Sequence, residues 1–508
     1  MSSAGTTPPL GSDAPGLLPE VPEVNVADLN ARVKSAANER ESVTPTITAT
    51  TTDLSATPEM ANAAAPTKAR AVGPTRSIID GSLRRNFSWT FVGNVAYSAC
   101  QAGILMLLAK IGNPEMVGKY GLAMAIATPV LALSSLQLRA VLTTDVKEKI
   151  PFGEYLGFRL TTTLLSLLVI IGIAVFSKRE SMLVIIIMGI SQGIEMVADL
   201  YWGRMQFADN MDRIAKSMIV RGVLGLAALA AGVYFTHGLI WGVLGLTAAR
   251  AAVLLFYDIA ERTQLLPRQP LDQAEVDSIL SAGNETLRPR WSLAAQSELF
   301  RTSITLGVIA MLVSLLPNIP RYFLVGTMGE RALGIFTATA FLVSTGNLIM
   351  TAMGQAAFVR LAKLYGAGDV REFNRLLVRL LGVALLLGMG GVGVALIAGK
   401  LLLTLIYRPE YAEHTDLLVA MMCAGALTYV ASVLASAVTS ARSFRPQIPV
   451  LASAAAAGAI SSYFLIHAYH LLGAGLAVVL TSAVLCTGHG ILLLRVRNSM
   501  VAEQVSAD

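Results

Sequence analysis

Gln192, Glu195 and Asp199 sit at i, i+3 and i+7 within an otherwise apolar run, so a helix places all three on one face within roughly 100°. Two carboxylates one turn apart suit proton or sodium exchange, because their repulsion and desolvation both favour taking up a cation. A structural ion pair with an arginine of a neighbouring helix uses the same residues and carries equal weight. Arg321, just after Pro317 and Pro320, either snorkels to an interface or offers a planar guanidinium to a diphosphate. Arg139 and Arg360 occupy matching places in two similar halves and can do the same at an inner mouth, although anchoring on the basic side explains each alone. Asn94, Gln101 and Asn347 are further candidates for a polar lumen, against ordinary hydrogen bonding between helices.

The elements that must position these groups are membrane helices. Hydrophobic residues make up 54% of the 508-residue chain and charged residues 14%, against roughly 25% charged in soluble domains. The apolar residues gather into runs of about twenty, enough for a helix to cross roughly 30 Å of hydrocarbon. The runs predict spans at 89–109, 120–141, 160–176, 182–205, 214–235 and 239–259. Six more follow at 302–325, 333–359, 380–405, 417–440, 448–467 and 471–494. The fold class is therefore all-α integral membrane, with about twelve spans in two six-helix bundles. Residues 81–260 form the first bundle, 261–298 a cytoplasmic linker, 299–497 the second bundle and 498–508 a short tail. Residues 1–80, rich in Thr, Ala, Pro and Ser, are expected to be a disordered cytoplasmic tail.

Lys and Arg alternate between connections. They crowd the flanks and even-numbered connections (Arg139, Lys147, Lys149 and Arg159; Arg204, Arg213 and Lys216; Arg360, Lys363 and Arg371) and are sparse on the opposite side. The positive-inside rule then places both termini and the linker in the cytoplasm. This asymmetry also accounts for the formal charge of +6. No basic cluster interleaves with aromatic residues, so nucleic acid is not an expected partner. Cys100, Cys423 and Cys486 lie inside spans without CxxC spacing. His467 and His470 lack a carboxylate beside them, and no phosphate-binding loop is present. No cofactor or metal is expected, and no catalytic residue is assigned.

The halves repeat. NPEMVGKYGLAMAIA after the first span aligns without gaps on GERALGIFTATAFLV after the seventh, with Gly118 over Gly334 and Tyr120 over Phe336. Such parallel repeats are related by an axis along the membrane normal, and a substrate path lies between them. Pro129, Pro317 and Pro320 should kink or break their helices.

GIEMVADLYWGRMQFADNMDRIAKSMIVRG (193–222), the opening NFSWTFVGNVAYSACQAGILMLLAKIGNPEMVGKYGLA (86–123) and YRPEYAEHTDLL between the ninth and tenth spans carry a resemblance. They resemble the polysaccharide and O-antigen flippases of the multidrug/oligosaccharidyl-lipid/polysaccharide exporter superfamily. The resemblance implies a bacterial inner-membrane transporter, not an enzyme. It would pass a polyprenyl-diphosphate-linked oligosaccharide from the cytoplasmic to the outer leaflet for lipopolysaccharide or exopolysaccharide synthesis. Membrane lipids, a glycan polymerase and glycosyltransferases would be its partners. Alternatives are a cation-coupled drug exporter of the same superfamily and a glycosyl polymerase. The second normally needs a long acidic outer loop, and the outer connections here are short.

Overall fold

The computed structural model describes residues 76–145, 150–260, 288–441 and 444–507. The expectations for residues 1–75 and for most of the linker lie outside these. Among the described residues every regular element is helical. The helices are α1 (Arg76–Lys110), α2 (Pro114–Ser135), α3 (Leu138–Thr144), α4 (Phe152–Ala174), α5 (Arg179–Phe207), α6 (Met211–Thr236) and α7 (Leu239–Val253). There follow α8 (Leu293–Leu315), α9 (Ile319–Thr327), α10 (Gly329–Gly366), α11 (Val370–Ile406), α12 (Thr415–Ser440) and α13 (Gln447–Ala507). The first residues, 76–80, assigned to the tail are already helical.

Ten stretches among the described residues are long and apolar enough to cross a membrane. The tenth, Gln447–Asn498, doubles back at His470, whose φ of 51° interrupts α13. Val450 meets Gly488, Gly458 meets Thr481 and Leu465 meets Gly473, so the two arms run antiparallel. With this second arm and the 38-residue α10 counted separately, the described residues hold twelve helical stretches of crossing length.

Local sequence explains most helix ends. Asn113 caps α2 by accepting from the Met116 N–H, with Pro114 at the first turn where its missing N–H costs nothing. The Pro317–Pro320 break occurs as expected: Leu316–Asn318 forms a 3-10 turn between α8 and α9. Pro129 behaves otherwise, lying inside a continuous α2. The second span instead breaks seven residues later, where Leu136 and Gln137 take left-handed φ values of 47° and 51°.

Helices 76–260 pack mainly on one another, as do those from Leu293 onward, and α2 joins the groups by crossing both α10 and α8. The α2–α10 crossing follows the internal repeat. A Cβ on Gly118 would strike the Glu330 carbonyl, and one on Gly334 would strike that of Pro114, the residue aligned with Glu330. Gly121 faces its own counterpart, Thr337. The contact is thus self-complementary about a local two-fold axis, and glycine lets the backbones meet.

Candidate functional site

The polar interior of the first group is organised by α5, whose residues Gln192, Glu195 and Asp199 share a face but reach different partners. Glu195 accepts a hydrogen bond from the Tyr97 hydroxyl of α1, and Gln101 Nε2 donates to that hydroxyl at 3.0 Å. On its other side Arg250 Nη1 of α7 stands 3.4 Å from Glu195 and donates to Ser191 Oγ at 2.9 Å. Asp199 pairs with Arg139 at 3.1 Å. Gln192 donates to the sulfur of Met124 on α2 at 3.2 Å. The two carboxylates therefore have separate arginine partners, and both retain some exposure.

Arg139 reaches Asp199 because of the break at Leu136–Gln137. The reversal lays α3 against α5, where Gly203 leaves room for the Arg139 stem at 3.2 Å from a would-be Cβ. Its Nε and Nη2 also donate to Gln206 Oε1, at 3.0 and 2.8 Å. In this state Arg139 serves protein acceptors. Arg360, its sequence counterpart, is exposed on the uninterrupted α10, so the broken second span and its unbroken repeat place the two guanidinium groups differently.

A second polar cluster lies behind the first. Arg221 of α6 pairs with Asp258 in the π-helical turn Leu254–Ile259, and both side chains are fully buried. Ser217 donates to Asp258 at 2.6 Å, Trp202 Nε1 donates to Ser217 at 3.1 Å, and the guanidinium lies 5.3 Å from the Trp202 ring centroid. Tyr97, Arg250, Arg221 and Asp258 escaped the sequence analysis as site residues. The arginines look like topology signals in the sequence, and an acid inside span 239–259 is the one signal that could have found Asp258.

Arg321, in α9, is part-buried; its Nη1 donates to Asn318 Oδ1 at 3.0 Å and its buried Nε has no hydrogen-bond partner. Asn347 is half-buried in α10. Asn94 is exposed and donates to the Thr90 carbonyl of its own helix. Gln101 joins the Glu195 cluster, whereas Asn94, Asn347 and Arg321 stand apart from it.

The ends of the two groups are not equivalent. At the end remote from Arg139, here the far end, the groups are tied together. Lys119 pairs with Glu180 and stands 3.9 Å from Glu330, and Ser181 Oγ donates to Glu330 at 2.5 Å. Arg408 donates to the Lys110 carbonyl at 2.6 Å. The glycine crossing lies in this half.

No family model matches the chain. It is 25% identical over 401 residues to the capsular polysaccharide biosynthesis protein CapF of Staphylococcus aureus, covering 79% of this chain and 96% of that protein. Its fold matches a multidrug resistance MATE family transporter of the MOP superfamily in the inward-facing conformation (TM-score 0.61, 13% identity, 81% of this chain and 96% of that one). The outward-facing conformation of such a transporter gives 0.57 at 12% identity, with 83% and 96% covered. A MOP superfamily transporter from Pyrococcus furiosus gives 0.56 at 13%, also with 83% and 96% covered.

Proposed function

We propose that this chain, a polysaccharide-flippase-type member of the MOP superfamily, flips a polyprenyl-diphosphate-linked oligosaccharide from the cytoplasmic to the outer leaflet. The observation that carries this choice is the relationship to a capsular polysaccharide biosynthesis protein over 96% of that protein's length. A diphosphate and a glycan cannot cross hydrocarbon unaided, and a hydrated, cationic passage between two rocking bundles lowers that barrier. The chain acts as a transporter without covalent chemistry, in the bacterial inner membrane, with both termini and the basic end cytoplasmic. The far-end ties support a cytoplasm-open state.

In this mechanism Arg321 is a phosphate contact during passage, because its Nε lacks a protein partner. Arg360 and Arg139 receive the head group at the mouth, Arg139 only after release from Asp199. Asn347, Gln101 and Asn94 contribute polar surface. Glu195, Asp199 and Gln192 perform coupling: a cation taken up by Glu195 weakens its hold on Arg250 and Tyr97, which joins α1, α5 and α7. Transport in vesicles by Glu195→Gln and Asp199→Asn tests this: gradient dependence should be lost while the substrate still binds. Unchanged gradient dependence rejects the coupling role.

A cation-coupled small-molecule exporter is the second reading, favoured by the multidrug transporters among the structural neighbours. Deleting the gene separates the two. Trapping of a lipid-linked oligosaccharide on the inner leaflet, with loss of surface polysaccharide, supports flipping. Drug sensitivity with normal polysaccharide supports the exporter.

A further inference from the structure

A large cavity, about 970 Å³, is an apolar groove between α4 and α8, floored by α2. Along α4 its wall runs from Thr162 through Leu165 and Val169 to Ile173, roughly 17 Å at about 1.5 Å per residue, and Phe176 in the turn beyond extends it. It thus follows most of the roughly 30 Å hydrocarbon depth. Leu165 is 62% exposed, so the groove opens sideways toward lipid. In its inner half the polar groups turn away or are buried: Ser134 donates to the Leu131 carbonyl, Thr162 to that of Arg159, and Ser166 is buried, while Ser177, Lys178, Ser181 and Glu330 gather at the opposite end. A glycan there would lose its hydrogen bonds to water without replacement, whereas a hydrocarbon chain would lose nothing.

Arg159 lies one turn beyond Thr162, just past the groove's basic end rather than among its lining residues, whose own cation, Lys178, stands at the opposite end. Arg159 lies seven residues before Ser166 and fourteen before Ile173, both groove-lining, so all three follow one stripe of α4 with a drift of only about 20° per seven residues. Arg159 is 1% exposed, and its Nε, Nη1 and Nη2 have no hydrogen-bond partner. The acid acting on it, Asp199, already holds Arg139. A buried guanidinium without hydrogen-bond partners is destabilising, and an oxyanion relieves that penalty.

We propose that this groove seats the polyprenyl chain of a lipid phosphate, with its phosphate end held by Arg159 at the basic end. This deepens the flippase reading, and rests on it, by giving the lipid part of the substrate its own site apart from the passage for the glycan. One groove takes one chain, which favours a single-chain polyprenyl phosphate over a diacyl phospholipid.

The test uses the full chain in phosphatidylcholine nanodiscs, with a photoreactive residue at lipid-exposed Val169. The probes are a long-chain polyprenyl phosphate, the corresponding polyprenol and phosphatidylglycerol. Polyprenyl phosphate should crosslink and bind best. Arg159→Gln should weaken it about tenfold while leaving polyprenol unchanged, and Arg159→Lys should recover part of the loss. Val169→Trp, which narrows the groove without touching the core, should weaken both polyprenyl probes. Equal binding of polyprenyl phosphate and polyprenol, or equal crosslinking of phosphatidylglycerol, overturns the proposal. Neither result depends on a glycan or on flipping. If gene deletion still traps lipid-linked oligosaccharide, the flippase reading survives the groove's failure; if it does not, that reading fails by itself.

Discussion

At the scale of single residues, the two buried clusters of the first helix group answer different needs. Arg221 and Asp258 are wholly enclosed, with Ser217 and Trp202 filling further positions around them. Removing one member leaves an uncompensated buried charge, which costs about 3–5 kcal/mol, whereas replacing both by apolar residues of similar volume is often neutral. Asp258→Asn should therefore lower the thermal stability of the detergent-solubilised protein strongly, and Arg221→Met with Asp258→Leu should recover most of it. The Glu195 cluster is less enclosed and joins three helices through one hydroxyl. Tyr97→Phe removes one hydrogen bond to Glu195 and one from Gln101, costing about 2–4 kcal/mol together. It should leave the folded protein in place yet alter the gradient response of transport in vesicles. An unaltered response would separate Tyr97 from coupling. The sequence displayed Glu195 as an acid at membrane depth, but not its partners, because Tyr97 and Arg250 come from helices far away in the chain. Arg159 was hidden more deeply, since a cation near the end of a span has an ordinary reason to be there.

At the scale of elements, run length was sufficient to find the crossings, and the 3-10 turn at Leu316–Asn318 follows from proline chemistry visible in the sequence. The break at Leu136–Gln137 has no such sign. Neither residue favours a left-handed conformation, so α2 ends there because packing of α3 against α5 outweighs backbone preference. Pro129, the residue that marked this span for a kink, is accommodated within α2. Glycine at position 137 would adopt the observed φ of 51° freely, so Gln137→Gly should hold or raise stability, by up to about 1 kcal/mol. Gln137→Pro cannot reach that φ and should destabilise the Arg139–Asp199 pair with the turn. Thermal unfolding of the two variants side by side measures the difference. A Gly variant that is clearly less stable would mean that the Gln137 side chain, not the turn, holds α3 in place.

At the scale of the whole membrane unit, duplication shows itself as geometry. The alignment of Gly118 with Gly334 was legible in the sequence; that the two helices cross at these very residues was not, because one chain's repeat does not reveal which faces meet. The crossing fills the space where each Cβ would stand, so it tolerates only glycine while the far end is shut. Gly118→Leu would burden the closed far end alone. Overpacking costs about 1–3 kcal/mol, enough to shift a two-state balance roughly fivefold to 150-fold toward the state in which α2 and α10 part. Thr337, buried beside Gly121 at the same crossing, reports that parting. In a background with Cys100, Cys423 and Cys486 replaced by Ala, Thr337→Cys should be protected from a membrane-impermeant maleimide. Adding Gly118→Leu should make it reactive from the far side. Gly390→Leu, where a new side chain meets open space, provides the control and should change nothing. If Gly118→Leu yields folded protein with Thr337→Cys still protected, the glycine crossing is a fixed joint, and the bundles must rock about some other contact.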